Sequence, residues 1–310
     1  MRSTFINALV EIAKIDTRIV LLTGDLGYLA IEPFMDQFPD RFFNIGVAEQ
    51  DMVGIATGLA ESGFIPFVYS IVPFAVLRPY EFIRNGPIMH QFPVRIVGIG
   101  GGMEYGTNGA THYGLEDIGL MRMHPGMSVI VPADYGQAKT CLDATWNLPG
   151  PVYYRLSKDN QTLIPGLSGR FELGHTQNIR TGTDLIMITI GNITSEAVKA
   201  ADLLESMGIS CAVVSVASMN PSPIGDLQET LSHYRVAITV ETHYVTGGLG
   251  SLISEVIAEA GLTCRLVRCG VKTTPTGMTG SQEYMLRLHG LTGEQLAKTA
   301  SEALRQIPPR

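Results

Sequence analysis

The chain has 310 residues, of which 45% are hydrophobic and 16% charged, with a formal net charge of -7. That length suggests roughly two domains of about 150 residues each, with enough apolar mass for real cores. The mild acidity and the lack of a basic stripe argue against nucleic acid as a partner.

Near the N-terminus, Glu11, Lys14, Asp16 and Arg18 interrupt the first apolar run too early for a signal peptide. No apolar run reaches the roughly 18 residues of a membrane span, so a soluble, cytoplasmic protein is expected. Phe5, Leu9, Ile12 and Ala13 mark one face of a first helix. Residues 19–23 read as a buried strand stopped by Gly24 and Asp25, and 42–45 as a shorter one. The spacing of Met52, Ile55, Ala56 and Leu59 predicts a helix over 47–62, with Gly63 as its stop. Strand-like runs follow at 67–71, 95–99, 128–131 and 152–156, separated by helical stretches. Residues 157–183 hold Pro165, several glycines and little periodicity, which puts a linker at 161–180. A second alternating block has strands at 185–190, 211–216, 236–240 and 264–267, and helices at 195–207, 250–260 and 292–305. The rhythm predicts an α/β protein of two domains, 1–160 and 181–310, each a mainly parallel sheet covered by helices. Cys141, Cys211, Cys264 and Cys269 form no CxxC pair, so they read as packed thiols rather than zinc or redox ligands.

Four stretches could carry chemistry. Asn44 to Gln50 ends a strand, turns at Gly46 and sets Glu49 in the first turn of a long helix, where an acid also complements the helix dipole. Gly100, Gly101 and Gly102, with Gly106 and Gly109, lead to Asn108 and His112 in a loop beyond a strand. That is the carboxyl edge, where α/β sheets bind ligands, and no nucleotide fingerprint is present. Residues 74–85, FAVLRPYEFIRN, read as one helix with ion pairs three residues apart. Glu241 to His243, followed by Gly247, Gly248 and Gly250, read as a strand, a tight turn and a helix.

Together these stretches resemble the C-terminal half of the transketolase family. The stretch FPDRFFNIGVAEQDM, residues 38–52, is similar to the family signature FPDRFFNxGxAEQxMV. GATHYGLEDIGLMR from Gly109 resembles DGATHQxxEDxxxLR, and residues 78–85 resemble the RxYEQIRN helix. The likeness runs over nearly the whole chain and implies a pyrimidine-binding domain followed by a transketolase C-terminal domain. It also implies thiamine diphosphate as cofactor. The family's GDG…NN motif for Mg²⁺ and the diphosphate is absent. The resemblance therefore implies a partner, an N-terminal subunit carrying that motif, in an α2β2 heterotetramer.

On the same ground, Glu49 matches the carboxylate that hydrogen-bonds N1′ of the cofactor's aminopyrimidine. Phe74 matches the ring that stacks on that pyrimidine, and Asp25 and Leu26 match cofactor neighbours. His112 matches the loop histidine that contacts donor oxygens. Arg78 and Glu81 are read as structural, and His243 is left open. Asn108 stands where the family has an aspartate that reads a substrate hydroxyl. Arg2 and Lys158 match two arginines that grip the acceptor phosphate. Leu29 falls near that grip's serine and Gly100 near its histidine, which puts standard pentose phosphate acceptors in doubt. The expected reaction is two-carbon ketol transfer to an aldehyde. Two relatives of this layout stay open, the β subunit of a 2-oxo acid dehydrogenase's decarboxylating component and a deoxyxylulose-phosphate-synthase-like carboligase. The Met-rich continuation after Glu116 and Asp117 is similar to the transketolase side.

Overall fold

Buried strands covered on both faces read as near-continuous apolar runs, and runs of this kind build two sheets in the computed structural model, which describes residues 1–275 and 277–307. The first half holds strands β1 (Ile19–Thr23), β2 (Phe42–Asn44), β3 (Ile65–Ile71), β4 (Arg95–Ile99), β5 (Ser128–Ile130) and β6 (Val152–Leu156). The second half holds β7 (Gln177–Arg180), β8 (Leu185–Thr189), β9 (Cys211–Ser215), β10 (Ser218–Asn220), β11 (Val236–Tyr244) and β12 (Arg265–Val271). Among the described residues, one sheet runs β10-β5-β6-β4-β3-β1-β2 and the other β12-β11-β8-β9-β7. Pairing is parallel except at β10 against β5 and β7 against β9. The short strand β10 departs from the expected organisation, because it leaves the second half of the chain to extend the first sheet.

Helices α1 (Arg2–Ile15), α2 (Glu32–Gln37), α3 (Glu49–Glu61), α4 (Val72–Val76), α5 (Tyr80–Ile83), α6 (Asp117–Arg122) and α7 (Tyr135–Thr145) flank the first sheet. Helices α8 (Thr194–Ser206), α9 (Ile224–Ser232), α10 (Leu249–Glu259), α11 (Gln282–Leu288) and α12 (Gly293–Arg305) belong to the second half. No helix among the described residues is long and apolar enough to cross a membrane. All four cysteines are buried and free.

One core cluster joins the halves, with Met52, Val68 and Ile96 from the first and Ile188, Val214 and Leu252 from the second. Polar contacts reinforce the junction. The buried Arg155 guanidinium meets Asp117 at 2.7 Å and donates to the carbonyls of Gly114 (3.0 Å) and Thr242 (2.9 Å). Tyr153 adds its hydroxyl to the same Asp117 oxygen at 2.7 Å. Such a buried charge is tolerable only because it is paired and hydrogen-bonded.

Residues 74–85 do not form the single expected helix. Pro79 can offer no N–H and crowds the carbonyl four residues earlier, so the chain stops at Val76, restarts at Tyr80 and widens into a π turn over Arg84–Ile88. The expected pairs among Arg78, Glu81 and Arg84 do not form. Arg84 and Glu81 each bond Asn85 instead, and Arg78 turns inward.

Candidate active site

Because β2, β1, β3 and β4 are parallel neighbours, their carboxyl ends open on one edge of the sheet. The loop after β1 carries Asp25 and Leu26, the helix α3 that follows β2 opens on Glu49, the helix α4 directly after β3 carries Phe74, and the loop after β4 carries Asn108 and His112. The fold thus gathers residues up to 87 positions apart in sequence, from Asp25 to His112, onto one rim.

Asn44 ties the first two loops together. Its Oδ1 accepts from the backbone N–H groups of Asp25 and Gly46, both at 3.0 Å, and its Nδ2 donates to Asp25 Oδ1 at 3.1 Å. Asp25 sits at φ 58, a left-handed conformation that this short polar side chain supports by bonding locally. The turn at Gly46 (φ 77) then delivers Glu49 as the first residue of α3.

The Glu49 side chain is only 1% exposed. Its Oε2 accepts from Arg78 Nη1 at 2.5 Å, and Ser70 Oγ lies 3.4 Å from its Oε1. A Cβ at Gly24 would stand 3.3 Å from Glu49 Oε1, so the bare glycine leaves that face of the carboxylate open. Arg78 also lies over the half-buried Phe74 ring, 4.4 Å from its centroid. Phe74 meets the His112 ring edge-on at 5.1 Å. Glu49, Arg78, Phe74 and His112 therefore form a continuous set of contacts. The sequence reading treated Arg78 as structural and missed its place between the carboxylate and the ring. Its spacing from Glu81 and Arg84 suggested an exposed helix face, and only Pro79 hinted otherwise.

The loop after β4 is pinned at both sides. Gly102 and Gly114 exchange backbone bonds at 2.8 and 2.9 Å, and the Tyr113 hydroxyl reaches the carbonyls of Gly106 (2.9 Å) and Met278 (3.1 Å). Glu104 holds the loop to the segments that follow β6 and β8, accepting from Lys158 N and Asn192 Nδ2, both at 2.6 Å. Burial pushes its carboxyl above the usual range, against those bonds. His112 is half-buried with its Nδ1 3.0 Å from Thr111 Oγ1, while Asn108 is exposed.

Tyr105 is a site neighbour the sequence reading did not single out. Its ring carries Lys158 Nζ at 4.0 Å over its centroid and lies 6.2 Å from the His112 ring. Burial raises its hydroxyl pKa, opposed by the nearby Arg2 charge. Arg2 opens α1 with its Nε buried and lacking a protein partner, as do Glu32 Oε2 and the Tyr69 hydroxyl among the described residues. Burial, eased by the Arg2 charge, pushes the Tyr69 hydroxyl well up. Leu29 is 86% exposed at φ 64, held by Glu32 Oε1 on its N–H at 2.8 Å. Lys158 and His112 thus flank Tyr105, with the Arg2 charge acting on its hydroxyl.

Near the end of β11 a buried carboxyl meets the head of α10. Glu241 accepts from the N–H groups of Leu249 and Gly250, both at 2.8 Å, at the start of α10. His243 is buried, takes the Gly119 N–H on Nε2 at 3.2 Å and places Nδ1 2.7 Å from the Tyr244 carbonyl. With both ring nitrogens engaged, His243 fastens α6 to the second sheet. Among the described residues no group of three or more His, Cys, Asp or Glu stands placed to hold a metal ion.

The transketolase pyrimidine-binding domain matches residues 1–162 and the transketolase C-terminal domain matches residues 174–296. A putative transketolase C-terminal section of Methanocaldococcus jannaschii is 36% identical over 309 residues, spanning 99% of this chain and 96% of its own. One of the subunits of an apulose-4-phosphate transketolase of Phocaeicola vulgatus is 32% identical over 310 residues, spanning 98% of this chain and 97% of its own. A solved split-gene transketolase, described as an inactive beta4 tetramer, superposes with a TM-score of 0.88 at 34% identity over 98% of both chains.

Proposed function

We propose a function for a chain that belongs to the transketolase family: it is the C-terminal, pyrimidine-binding subunit of a two-component cytoplasmic transketolase. The assembled enzyme moves a two-carbon ketol unit from a ketose-type donor to an aldehyde. In this reading 1–160 is the pyrimidine-binding domain, 161–180 the linker and 181–310 the C-terminal domain. The observation that carries the reading is the Glu49 carboxylate, 1% exposed at the head of α3 and reached past Gly24.

The residues present fit the aminopyrimidine half of thiamine diphosphate. A buried carboxylate, an open approach to it and a half-buried aromatic face are what a flat, proton-sharing heterocycle requires. Glu49 would share a proton with N1′, Phe74 would stack on the ring, and Asp25 and Leu26 would line its neighbourhood. When bound, thiamine diphosphate supplies the carbanion chemistry that breaks and makes the carbon–carbon bond. His112, steadied by Phe74 and Thr111, positions and exchanges a proton with a donor oxygen. Arg2, Lys158 and Asn108 face the acceptor.

Mg²⁺ and the diphosphate fall to an N-terminal partner subunit with a GDG…NN motif, because this sequence has neither element. Apolar side chains left exposed near Glu49 support a partner there: Val47 (71%), Ile55 (44%), Phe82 (43%) and Phe43 (41%). Closed twofold symmetry favours two copies of each subunit, an α2β2 heterotetramer. Alone, this chain is expected to be inactive and, like the beta4 relative, self-associated. Titration calorimetry with thiamine diphosphate and Mg²⁺ tests this, with light scattering on the mixed subunits. Tight Mg²⁺-dependent binding by the chain alone would overturn the division of labour, and a fully active 1:1 heterodimer would overturn the stoichiometry.

The acceptor differs from a standard pentose phosphate. Asn108, the exposed Leu29 and Gly100 support this, as does a relative named for apulose 4-phosphate. Each charge-assisted contact to a phosphate is worth roughly 1.5–3 kcal/mol, so a missing histidine and a missing hydroxyl weaken such an acceptor by about tenfold or more.

A further inference from the structure

Gly100 closes β4 at φ 76, and the structure gives a reason for its missing side chain: a Cβ there would collide with the Tyr105 ring. The two positions are a matched pair, with the tyrosine filling what any larger residue at 100 would need. The filled space is a chosen one. Lys158 Nζ sits 4.0 Å over the ring, the His112 ring is 6.2 Å away, and Arg2 is close enough to shift the tyrosine hydroxyl. One aromatic ring therefore stands among two cations and a histidine, and its own carbonyl accepts the Asn108 N–H at 2.8 Å on a pinned loop.

We propose that Tyr105 is the residue that sets acceptor length, its ring forming the end wall of the acceptor channel between Arg2 and Lys158. This rests on the transketolase reading above and names the substrate class within it: a short aldehyde with an anionic end. A rigid ring cannot yield to extra carbons without leaving its place over Gly100. A short aldehyde can set its reacting carbon near His112 while its anionic end lies beside the ring, within reach of both cations. A linear five-carbon sugar phosphate must carry its anion further, through the space the ring fills.

The test uses the complex reconstituted with its partner subunit, thiamine diphosphate and Mg²⁺, with hydroxypyruvate as donor. Acceptors are glycolaldehyde, glyceraldehyde 3-phosphate, erythrose 4-phosphate and ribose 5-phosphate. Wild type is expected to favour the shorter phosphate over ribose 5-phosphate in kcat/KM. Tyr105→Val should move that ratio at least about tenfold toward ribose 5-phosphate, the scale on which pocket shape discriminates. Tyr105→Phe, which keeps the ring, should leave the ratio within about twofold. A general loss of packing lowers all acceptors together and does not move the ratio. A Tyr105→Val ratio equal to wild type overturns the proposal while transfer itself persists. A wild-type complex that assembles yet transfers to none of the four overturns the transketolase reading, and this inference with it.

Discussion

The Glu49–Arg78 pair can be weighed by a double-mutant cycle with Glu49→Ala, Arg78→Ala and the double variant. Two unit charges about 4 Å apart attract by about 4 kcal/mol at an effective dielectric of 20, and breaking a fully buried pair costs about 3–5 kcal/mol. Here the burial is lopsided, since the Glu49 side chain is 1% exposed and that of Arg78 35%. Solvent on the arginine side screens the pair and lowers its worth. The short 2.5 Å contact keeps it well above a surface pair. A coupling energy of about 2 kcal/mol is expected, within the range found for contacting residues. The assay is urea unfolding followed by tryptophan fluorescence. The chain has one tryptophan, Trp146, and it packs in the first half's core. Protein concentration must be held fixed, because any association between copies would add to apparent stability. A coupling below about 0.5 kcal/mol would mean that Arg78 is solvated and that Glu49 lacks this partner in solution.

Three further outcomes are expected. In the reconstituted complex, Glu49→Gln abolishes exchange of the cofactor's C2 proton, followed by NMR, whereas His112→Ala keeps exchange and slows donor cleavage; equal loss of both would displace His112 from its assigned place. Asp117→Asn, which leaves the buried Arg155 charge unpaired, lowers unfolding free energy by roughly 3 kcal/mol, while Glu283→Gln on the exposed Arg287 pair stays within about 0.5 kcal/mol. Burial lifts Glu241 from 4.5 to about 7, opposed by the Gly250 and Leu249 N–H groups, then by Arg155 and Arg268, with His243 Nδ1 3.8 Å away. A carboxyl raised on folding stabilises fully below its unfolded pKa and loses that contribution as pH rises through the folded one. About 2.5 units correspond to roughly 3 kcal/mol, so the stability difference between wild type and Glu241→Gln should vary across pH 4.5 to about 7; a flat difference would refute the shift.

Sequence periodicity located the interior strands because their runs are mostly apolar, with Arg95 and Arg155 as buried exceptions. The expected spans 19–23, 95–99 and 152–156 coincide with β1, β4 and β6. In the second half four elements escaped it, Gln177–Arg180 and Gln282–Leu288 among them. The strand Ser218–Asn220 is three residues long and takes its place only by pairing with β5 across the chain. The helix Ile224–Ser232 buries just Leu227 and Leu231, a narrow stripe for a periodicity argument. The rim of the candidate site was legible for a topological reason: loops after adjacent parallel strands must share an edge. The contacts across that rim were not. Nothing local in the sequence says that Arg78 bends back to Glu49, or that Tyr105 lies over Gly100, because both follow from tertiary packing, the first in the helix break just before Pro79 and the second within a glycine-rich loop.

Arg78 makes two contacts that a bound aminopyrimidine would also make: it bonds the Glu49 carboxylate and covers the Phe74 ring. A planar guanidinium suits both tasks, since it donates along its edge and stacks by its face. Its presence explains how a carboxylate so deeply buried persists in a chain read here as half of an active site. Without a cation Glu49 would carry an uncompensated charge, and the head of α3 alone offers only part of the stabilisation needed. The arginine is also placed to give way. It is attached in the gap between α4 and α5, just before Pro79 and outside a regular helix, and is more than a third exposed, so moving it disrupts no backbone ladder. Glu49 is fixed by α3 and Phe74 by α4, while the group between them hangs on the least regular segment of the rim. That ordering, rigid carboxylate and ring with a displaceable cation between, is the arrangement expected where a ligand must enter a site that stays stable without it.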